Sequence, residues 1–476
     1  MIKFLKGVFI MSKQPHKEYG VLEAVPESAR SYGFYDMFAT WVAANANNGT
    51  WFAGGVVAAS ALGGALLATF IANPIAYLIM ALIGYMGYKI GATSMGLVRP
   101  SFGIRGSMLP SVLNATQFIG WTAVNTFIAS ISISFILKSL FGWPAFGEPG
   151  AGWVMVVGIV IMSILHILTI LYGHKSVRMV ERVGIVFLLI LGIWETVIVI
   201  QNVPLSQLMA WRPKPEQYLP IGKAMDYMAA FSLGWVPAIC EFTRYTKSKP
   251  AAIVAPMIGA NISLFWFSLV GTLGVIGAAI ITGNYDPNAS DPSSLVSKLG
   301  LGVLALLVII VISVTANAIN LMASGMSVNN IFPKTKPMTA LFTVSIIAGI
   351  VTLIPVFIAS FLDSFILFLD YIGMIFAPLF AIMIIDFFYV RKRKYDWSQA
   401  DKKDGLYWYK NGINWYGVGT WVAGAVIFLI FKNTGIFNSS SGAIYPTMVA
   451  TAVIYAIVGR FGMPAPKQEE AELAKH

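Results

Sequence analysis

Charged side chains are scarce in this chain. Asp, Glu, Lys and Arg make up 11% of its 476 residues, against about 25% in soluble domains, which need them to hydrate their surface. That scarcity excludes an ordinary soluble protein, which at this length would divide into roughly three domains. Cysteine is almost missing: Cys240 stands alone, so no intrachain disulfide is available and the redox compartment is left open. The four histidines, His16, His166, His174 and His476, are scattered. No zinc-ligand spacing, phosphate loop or nucleophile elbow accompanies them, which argues against an enzyme. What fills the chain instead is 57% hydrophobic residue at a mean hydropathy of +0.74. These residues come in runs of about 20, each long enough to cross roughly 30 Å of hydrocarbon as a helix. A β-barrel would show short alternating segments. The composition is that of an all-α, polytopic membrane protein seated in a lipid bilayer.

The runs predict twelve spans, at 34–59, 64–91, 109–137, 152–172, 181–200, 222–243, 252–282, 300–325, 338–358, 362–389, 413–431 and 443–461. The organisation that follows is an N-terminal segment over 1–33, five spans over 34–200, five more over 222–389, two over 413–461, and a tail over 462–476. The formal charge of +11 does not point to nucleic acid, because the Lys and Arg residues sit between the hydrophobic runs. With the N-terminus inside, 26 of the 32 basic residues fall on the cytoplasmic side. Lys138, Arg212, Lys214, Lys223, Lys298 and Lys432 remain outside. That asymmetry puts both termini in the cytoplasm, with the protein in the cell (inner) membrane. The strongest anchor is RKRKYDWSQADKK (391–403). The opening MIKFLKGVFIM lacks a full apolar region and a small-residue cleavage site, so no cleaved signal peptide is read, and Met11 is an alternative start.

Polar residues inside the membrane carry the functional signal. Span one contains WVAANANNGTWFAGG (41–55), with Asn45, Asn47, Asn48 and Gly49 at mid-depth. Asn side chains compete for main-chain bonds and Gly is conformationally loose, so the helix is expected to break there. Span six contains SLGWVPAICEFTRY (232–245), where Pro237 removes a helical hydrogen bond close after Gly234. Paired interruptions in corresponding spans mark a transporter's binding site; ordinary kinks in packed helices are the alternative. In span three, Asn114, Gln117, Trp121 and Asn125 follow at intervals of 3, 4 and 4 and share one helix face. In span eight, Ser313, Asn317, Asn320, Ser324 and Ser327 form a second stripe. Two such stripes either glue helices together or line one wet cavity beside the breaks.

The residues of that set are amides, hydroxyls and tryptophans, with few charges. Indole faces sandwich a ring and amides read its donor and acceptor edge, so the expected cargo is neutral and planar. Glu241 and Arg244 lie three apart at the end of span six and could pair; an intramembrane carboxylate is also a proton or gating candidate. His166 is expected to make a local hydrogen bond, and Asp386 to sit at the membrane interface.

Several phrases resemble the nucleobase:cation symporter-1 family, the cytosine permease, allantoin permease and hydantoin transporter group. RPSFGIRGSMLP (99–110), QFIGWTAVN (117–125), Gly234–Trp235, IIDFFYVRKRK (384–394) and GINWYG (412–417) carry the resemblance. It implies a five-plus-five inverted repeat, the LeuT-like arrangement, with two extra C-terminal helices and rocking-bundle alternating access. By that resemblance Trp121 and Trp235 sandwich the substrate, while Asn47, Asn125 and Asn320 hold its edge near Gln117 and Gly234. A coupling Na+ would lie on the carbonyls of Ala43, Ala46 and Val311 and the hydroxyl of Thr315, hard oxygen ligands suited to a small hard cation.

Two departures from the family keep alternatives open. Members often carry two adjacent hydroxyl residues on span eight, whereas Thr315 stands between Val314 and Ala316, which leaves H+ as the alternative coupling ion. The span-eight frame leaves Asn317 as an alternative to Asn320. The expected activity is symport of a small heterocycle by a monomer, with no cofactor. An amino-acid transporter on the same scaffold is the competing reading, and a channel or membrane-embedded enzyme a third.

Overall fold

The structure is a computed structural model that describes residues 19–462 other than 21, 173 and 333. Residues 1–18 and 463–476, with Met11, His16 and His476, and the His174 side chain lie outside that description. The described residues form helices and no strands. Ten helical stretches among them are long and apolar enough to cross a membrane. Their outward faces carry large exposed apolar side chains, such as Phe70, Ile164, Ile190, Ile350, Leu367 and Val453. A surface this apolar suits hydrocarbon rather than water.

The helices fall where the hydrophobic runs put them, and several are longer. Span three is Met108–Phe141 and span eight Gly302–Ile331, because a helix continues past the apolar run until something ends it. At span three that is Gly142, in the left-handed conformation at φ 70°. The stretch Asn48–Ile90 is helical for 43 residues, about 65 Å at 1.5 Å per residue, too long for one crossing. It is the second half of span one followed by span two, joined at Ala61, whose φ of 60° breaks the helix. The Tyr77 hydroxyl donating to Asn45 Oδ1 at 2.7 Å shows that the chain doubles back.

Span seven, Lys249–Thr282, lies against both parts of span one at backbone contact. A Cβ on Gly259 would stand 2.5 Å from the Phe38 carbonyl oxygen, and one on Gly271 would stand 2.0 Å from that of Trp51. A Cβ on Gly54 would meet the Ser268 carbonyl oxygen at 2.1 Å. Only glycine fits at these crossings.

Asp386, expected at the membrane interface, stands at the end of span ten with its side chain turned into the protein. It is buried where span ten, Phe361–Ile385, passes into a π-helical turn over Asp386–Val390. The Tyr395 and Tyr455 hydroxyls donate to it at 2.6 and 2.8 Å, and Arg391 Nε at 3.1 Å. The basic residue that follows thus turns inward to its carboxylate, and the pair holds the chain end of span ten on span twelve.

Candidate functional site: a cavity at two helix interruptions

Span one breaks where its asparagines stand. The helix Phe34–Asn45 ends at Ala46, and Asn47 adopts an extended conformation and caps the next helix, Asn48–Val57. Its Oδ1 accepts from the Thr50 N–H at 3.0 Å and its Nδ2 donates to the Ala44 carbonyl at 2.7 Å. An asparagine that satisfies the loose ends of both half-helices makes the break stable. Span six breaks likewise: Ile221–Leu233 ends at Gly234, and a tight turn over Val236–Ala238 holds Pro237 before Ile239–Thr243.

The two breaks and the two polar stripes meet around one cavity of about 260 Å³, lined by Asn47, Trp121, Asn125, Phe231, Trp235, Ala316 and Asn320. Trp121 is held edge-on by Phe231, Phe368 and Phe365, at ring-centre distances of 5.0, 4.9 and 6.2 Å. Trp235 stands edge-on to Trp41 at 6.2 Å. Gly234 lets the Trp121 indole approach, since a Cβ there would be 3.0 Å from its Nε1.

The stripes also bond to one another. Asn114 Nδ2 donates to Ser327 Oγ at 2.9 Å and Ser324 Oγ to the Ala115 carbonyl at 3.1 Å. Gln117 Nε2 donates to the Gly234 carbonyl at 3.0 Å, tying span three to the break in span six. Helix glue and cavity lining are thus both present, divided by residue. Asn320 faces the cavity, whereas Asn317 lies behind it, bonded to span three and to His166 Nε2 at 3.1 Å. The local bond expected of His166 is therefore to an amide. No charged side chain lines this cavity.

A second cavity of about 340 Å³ lies past Pro237, with Asn114, Phe118, Glu241, Met326 and Ser327 in its wall. Glu241 and Arg244 do not form an ion pair. Glu241 Oε1 accepts from the Ser94 N–H at 3.2 Å, and Arg244 donates to the Gly20 and Tyr19 carbonyls at 3.2 and 3.3 Å. Each charge finds main-chain partners on neighbouring segments, which draws the two apart.

Of the residues of the expected cation site, Ala43 and Thr315 make hydrogen bonds within their own stretches of chain. The Ala43 carbonyl accepts from the Ala46 N–H at 3.2 Å, and the Thr315 hydroxyl donates to the Ile312 carbonyl at 2.9 Å. The Val311 side chain is exposed. Spans one and eight are joined nearby by Asn48, whose Nδ2 donates to the Ile309 carbonyl and to Ser313 Oγ, both at 2.9 Å.

Sequence reasoning passed over Phe231 and Ala316, whose apolar character gives no polar-stripe signal. It also passed over Phe361, Phe365 and Phe368, although their intervals of 4 and 3 put them on one helix face. Phe361 stacks on Phe52 and Phe127 at 4.8 and 4.5 Å, building an aromatic layer beside the cavity. Glu195 was missed as well, despite being a carboxyl within an apolar span. It is fully buried, with Oε1 only 2.0 Å from where a Gly274 Cβ would stand.

Known proteins share this architecture. The chain is 24% identical over 401 residues to an allantoin permease of Bacillus subtilis, covering 79% of each chain. It is 23% identical to a hydantoin permease of Microbacterium maritypicum, covering 84% of this chain and 82% of that one. It is also 23% identical to a cytosine permease of Escherichia coli K12, covering 72% and 74%. Among solved structures, the inward-facing conformation of Mhp1 superposes with a TM-score of 0.76 at 18% identity, over 94% of this chain and 95% of that one. A closed conformation of the same transporter, with bromovinylhydantoin bound, superposes with a TM-score of 0.76 at 17% identity, over 95% and 98%. The family described as permeases for cytosine/purines, uracil, thiamine and allantoin matches residues 24–456. With nearly the whole chain matched and its helices laid out as in a solved transporter, this protein belongs to that permease family.

Proposed function

We propose that the protein is a symporter that imports a small neutral nitrogen heterocycle, a nucleobase, hydantoin or vitamin-precursor pyrimidine, by alternating access. The observation that carries this reading is the uncharged cavity at the two interruptions, with Trp121 and Trp235 as ring faces and Asn47, Asn125 and Asn320 as its amides. Indole faces are matched to a flat ring, and a cavity without charge favours a cargo without charge. Glycine at 234 and the Gln117 bond to its carbonyl place the second indole. Asn317 supports the wall from behind. An amino acid is served less well, because the Thr50 N–H that could meet its carboxylate is already capped by Asn47.

The coupling cation is a second cargo. We assign Na+ to the seam of spans one and eight, at the Ala43, Ala46 and Val311 carbonyls and Thr315, with H+ as the alternative and Glu241 as its candidate carrier or gate. In the orientation set by the basic residues, both termini are cytoplasmic in the inner membrane. The cavity at Glu241 then faces inward as a release vestibule. Spans 34–200 and 222–389 form two inverted five-helix repeats, 413–461 adds two spans to give twelve, and the unit is a monomer.

The test is uptake into proteoliposomes of labelled cytosine, uracil, hypoxanthine, allantoin and hydroxymethylpyrimidine under an imposed Na+ or proton gradient. Accumulation of one ring under one gradient is expected. Accumulation of none under either would refute the reading.

A further inference from the structure

One intramembrane carboxyl stands apart from both cavities. Glu195 of span five, Gly184–Asn202, is fully buried, and neither of its oxygens has a hydrogen-bond partner in the protein. It sits in a tight seam between span five and span seven. A Cβ on Gly192 would lie 3.4 Å from Val270 Cγ2, one on Gly274 2.0 Å from Glu195 Oε1, and one on Gly277 2.6 Å from Val199 Cγ1. Gly192, Glu195 and Val199 follow at intervals of 3 and 4, one face of the helix. Gly274 leaves the room that the carboxyl fills, with Leu295 of the short helix Pro292–Lys298 at the same spot. The Trp51 indole of span one faces the carboxyl as well, its Nε1 also unpartnered.

No cation answers this carboxyl. The half-helix Asn48–Val57 and span eight carry no titratable side chain. Span seven has only Lys249, at its far end with Nζ over the Tyr85 ring. Span four has His166, bonded to Asn317, and Tyr172 at its last residue. At the short helix, Asp291 caps the Ser294 N–H and Lys298 donates to the Ala289 carbonyl. Within span five the charged residues end at Arg182, about 20 Å away along the axis at 1.5 Å per residue. A carboxylate buried with neither counter-ion nor donor costs far more than the neutral acid, so the closed seam holds Glu195 with its proton on.

We propose that Glu195 is a proton-binding site that latches span five to spans one and seven, exchanging its proton with the outer side. It rests on the alternating-access reading and on the orientation above, which puts Glu195 about 10 Å from the outer, Asn202 end of span five. When the seam parts, the acid meets water and loses its proton, since an exposed glutamate is ionised at neutral pH. The carboxylate then cannot re-enter the seam until a proton from outside rebuilds its O–H bond. An acidic exterior thus favours the closed seam and an alkaline exterior the open one. Intramembrane carboxyls are expected to carry tasks of this kind.

The experiment uses the purified full-length protein in detergent, with Cys240→Ser and spin labels at Ile200→Cys and Ile281→Cys. Both isoleucines are exposed, near the outer ends of spans five and seven. Pulsed electron spin resonance reads the distance between them. The ratio of parted to closed seams should rise at least tenfold from about pH 5 to about pH 9, and by less than twofold when Glu195→Gln, which mimics the neutral acid, is added. Infrared spectra should show the carbonyl band of an un-ionised carboxylic acid at neutral pH that Glu195→Gln lacks. A distance distribution that ignores pH would overturn the latch, and that measurement needs no change at 195. So would a pH response kept in full by a folded Glu195→Gln protein, or an acid band equal in both proteins. None of these readouts needs a ring or a cation, so failure of heterocycle uptake would remove the substrate reading and leave the latch standing.

Discussion

Trp121 and Trp235 line the same cavity, yet their surroundings differ enough to separate binding from folding. Trp121 is 8% exposed and packed edge-on against three phenylalanines. Replacing it with alanine empties a filled site, at a cost of about 3–5 kcal/mol of stability. Trp235 is half-buried and meets Trp41 edge-on, a pair worth about 0.5–1.5 kcal/mol beyond its buried area. Trp235→Ala is therefore the cleaner probe. Stacking of a flat base on an aromatic side chain is worth about 1–3 kcal/mol by alanine substitution, which is a loss of roughly 5- to 150-fold in affinity. The assay is equilibrium binding of the transported ring in detergent, with thermal unfolding of the same samples. We expect Trp235→Ala to lose affinity within that range with a small fall in Tm, and Trp121→Ala to lose both affinity and stability. An affinity unchanged within twofold in Trp235→Ala would show that no ring lies against this indole, and the sandwich would be wrong.

Three further outcomes are expected. Gly271→Ala puts a Cβ 2.0 Å from the Trp51 carbonyl oxygen, a backbone atom that cannot swing aside. It should cost about 1–3 kcal/mol or more in thermal unfolding, whereas Gly419→Ala, with nothing within 4 Å, should be neutral or gain about 0.5–1 kcal/mol; equal effects would refute the close crossing. Thr315→Ala should weaken the Na+ dependence of uptake and leave ring binding in place, and an unchanged dependence would move the cation elsewhere. Burial pushes the Asp291 carboxyl up to about 6 from an ordinary value near 4. The folded state then holds its proton where the unfolded chain has lost it, so this group's contribution falls as pH rises from about 4 to about 6, by roughly 2–3 kcal/mol. Asp291→Asn keeps the cap on Ser294 N–H and should remove that decline, with higher stability than the parent at pH 7. Parallel Tm profiles for the two proteins from pH 4 to 7 would refute it.

Much of the fold was legible because hydrocarbon imposes length and polarity on each crossing. The interruptions were legible for a similar reason: three asparagines and a glycine at 45–49, and Gly234 with Pro237, deny a helix its local bonds. Periodicity put Trp121 and Asn125 on one face of span three and Asn320 on one face of span eight. What periodicity cannot supply is the partner of each side chain. Asn317 and Asn320 are three apart on one stripe, yet one bonds back to Thr122 and the other lines the cavity, a difference set by which helix lies opposite. Glu241 and Arg244 have the spacing of a helical pair, but the Ser94 amide and the Tyr19 and Gly20 carbonyls claim them. Asp386 precedes a basic run, and only the folded chain shows two tyrosines converging on it.

The backbone contact between spans one and seven changes what the break at Ala46–Asn47 can do. Span seven is one unbroken helix of 34 residues, and it touches the part of span one before the break at Phe38 and the part after it at Trp51 and Gly54. It therefore acts as a splint. A segment that has lost its own helical bonds would otherwise be a joint, free to bend whenever the protein changes shape. Splinted on both sides, it becomes a rigid socket, and the two pieces of span one must travel together as a single lever.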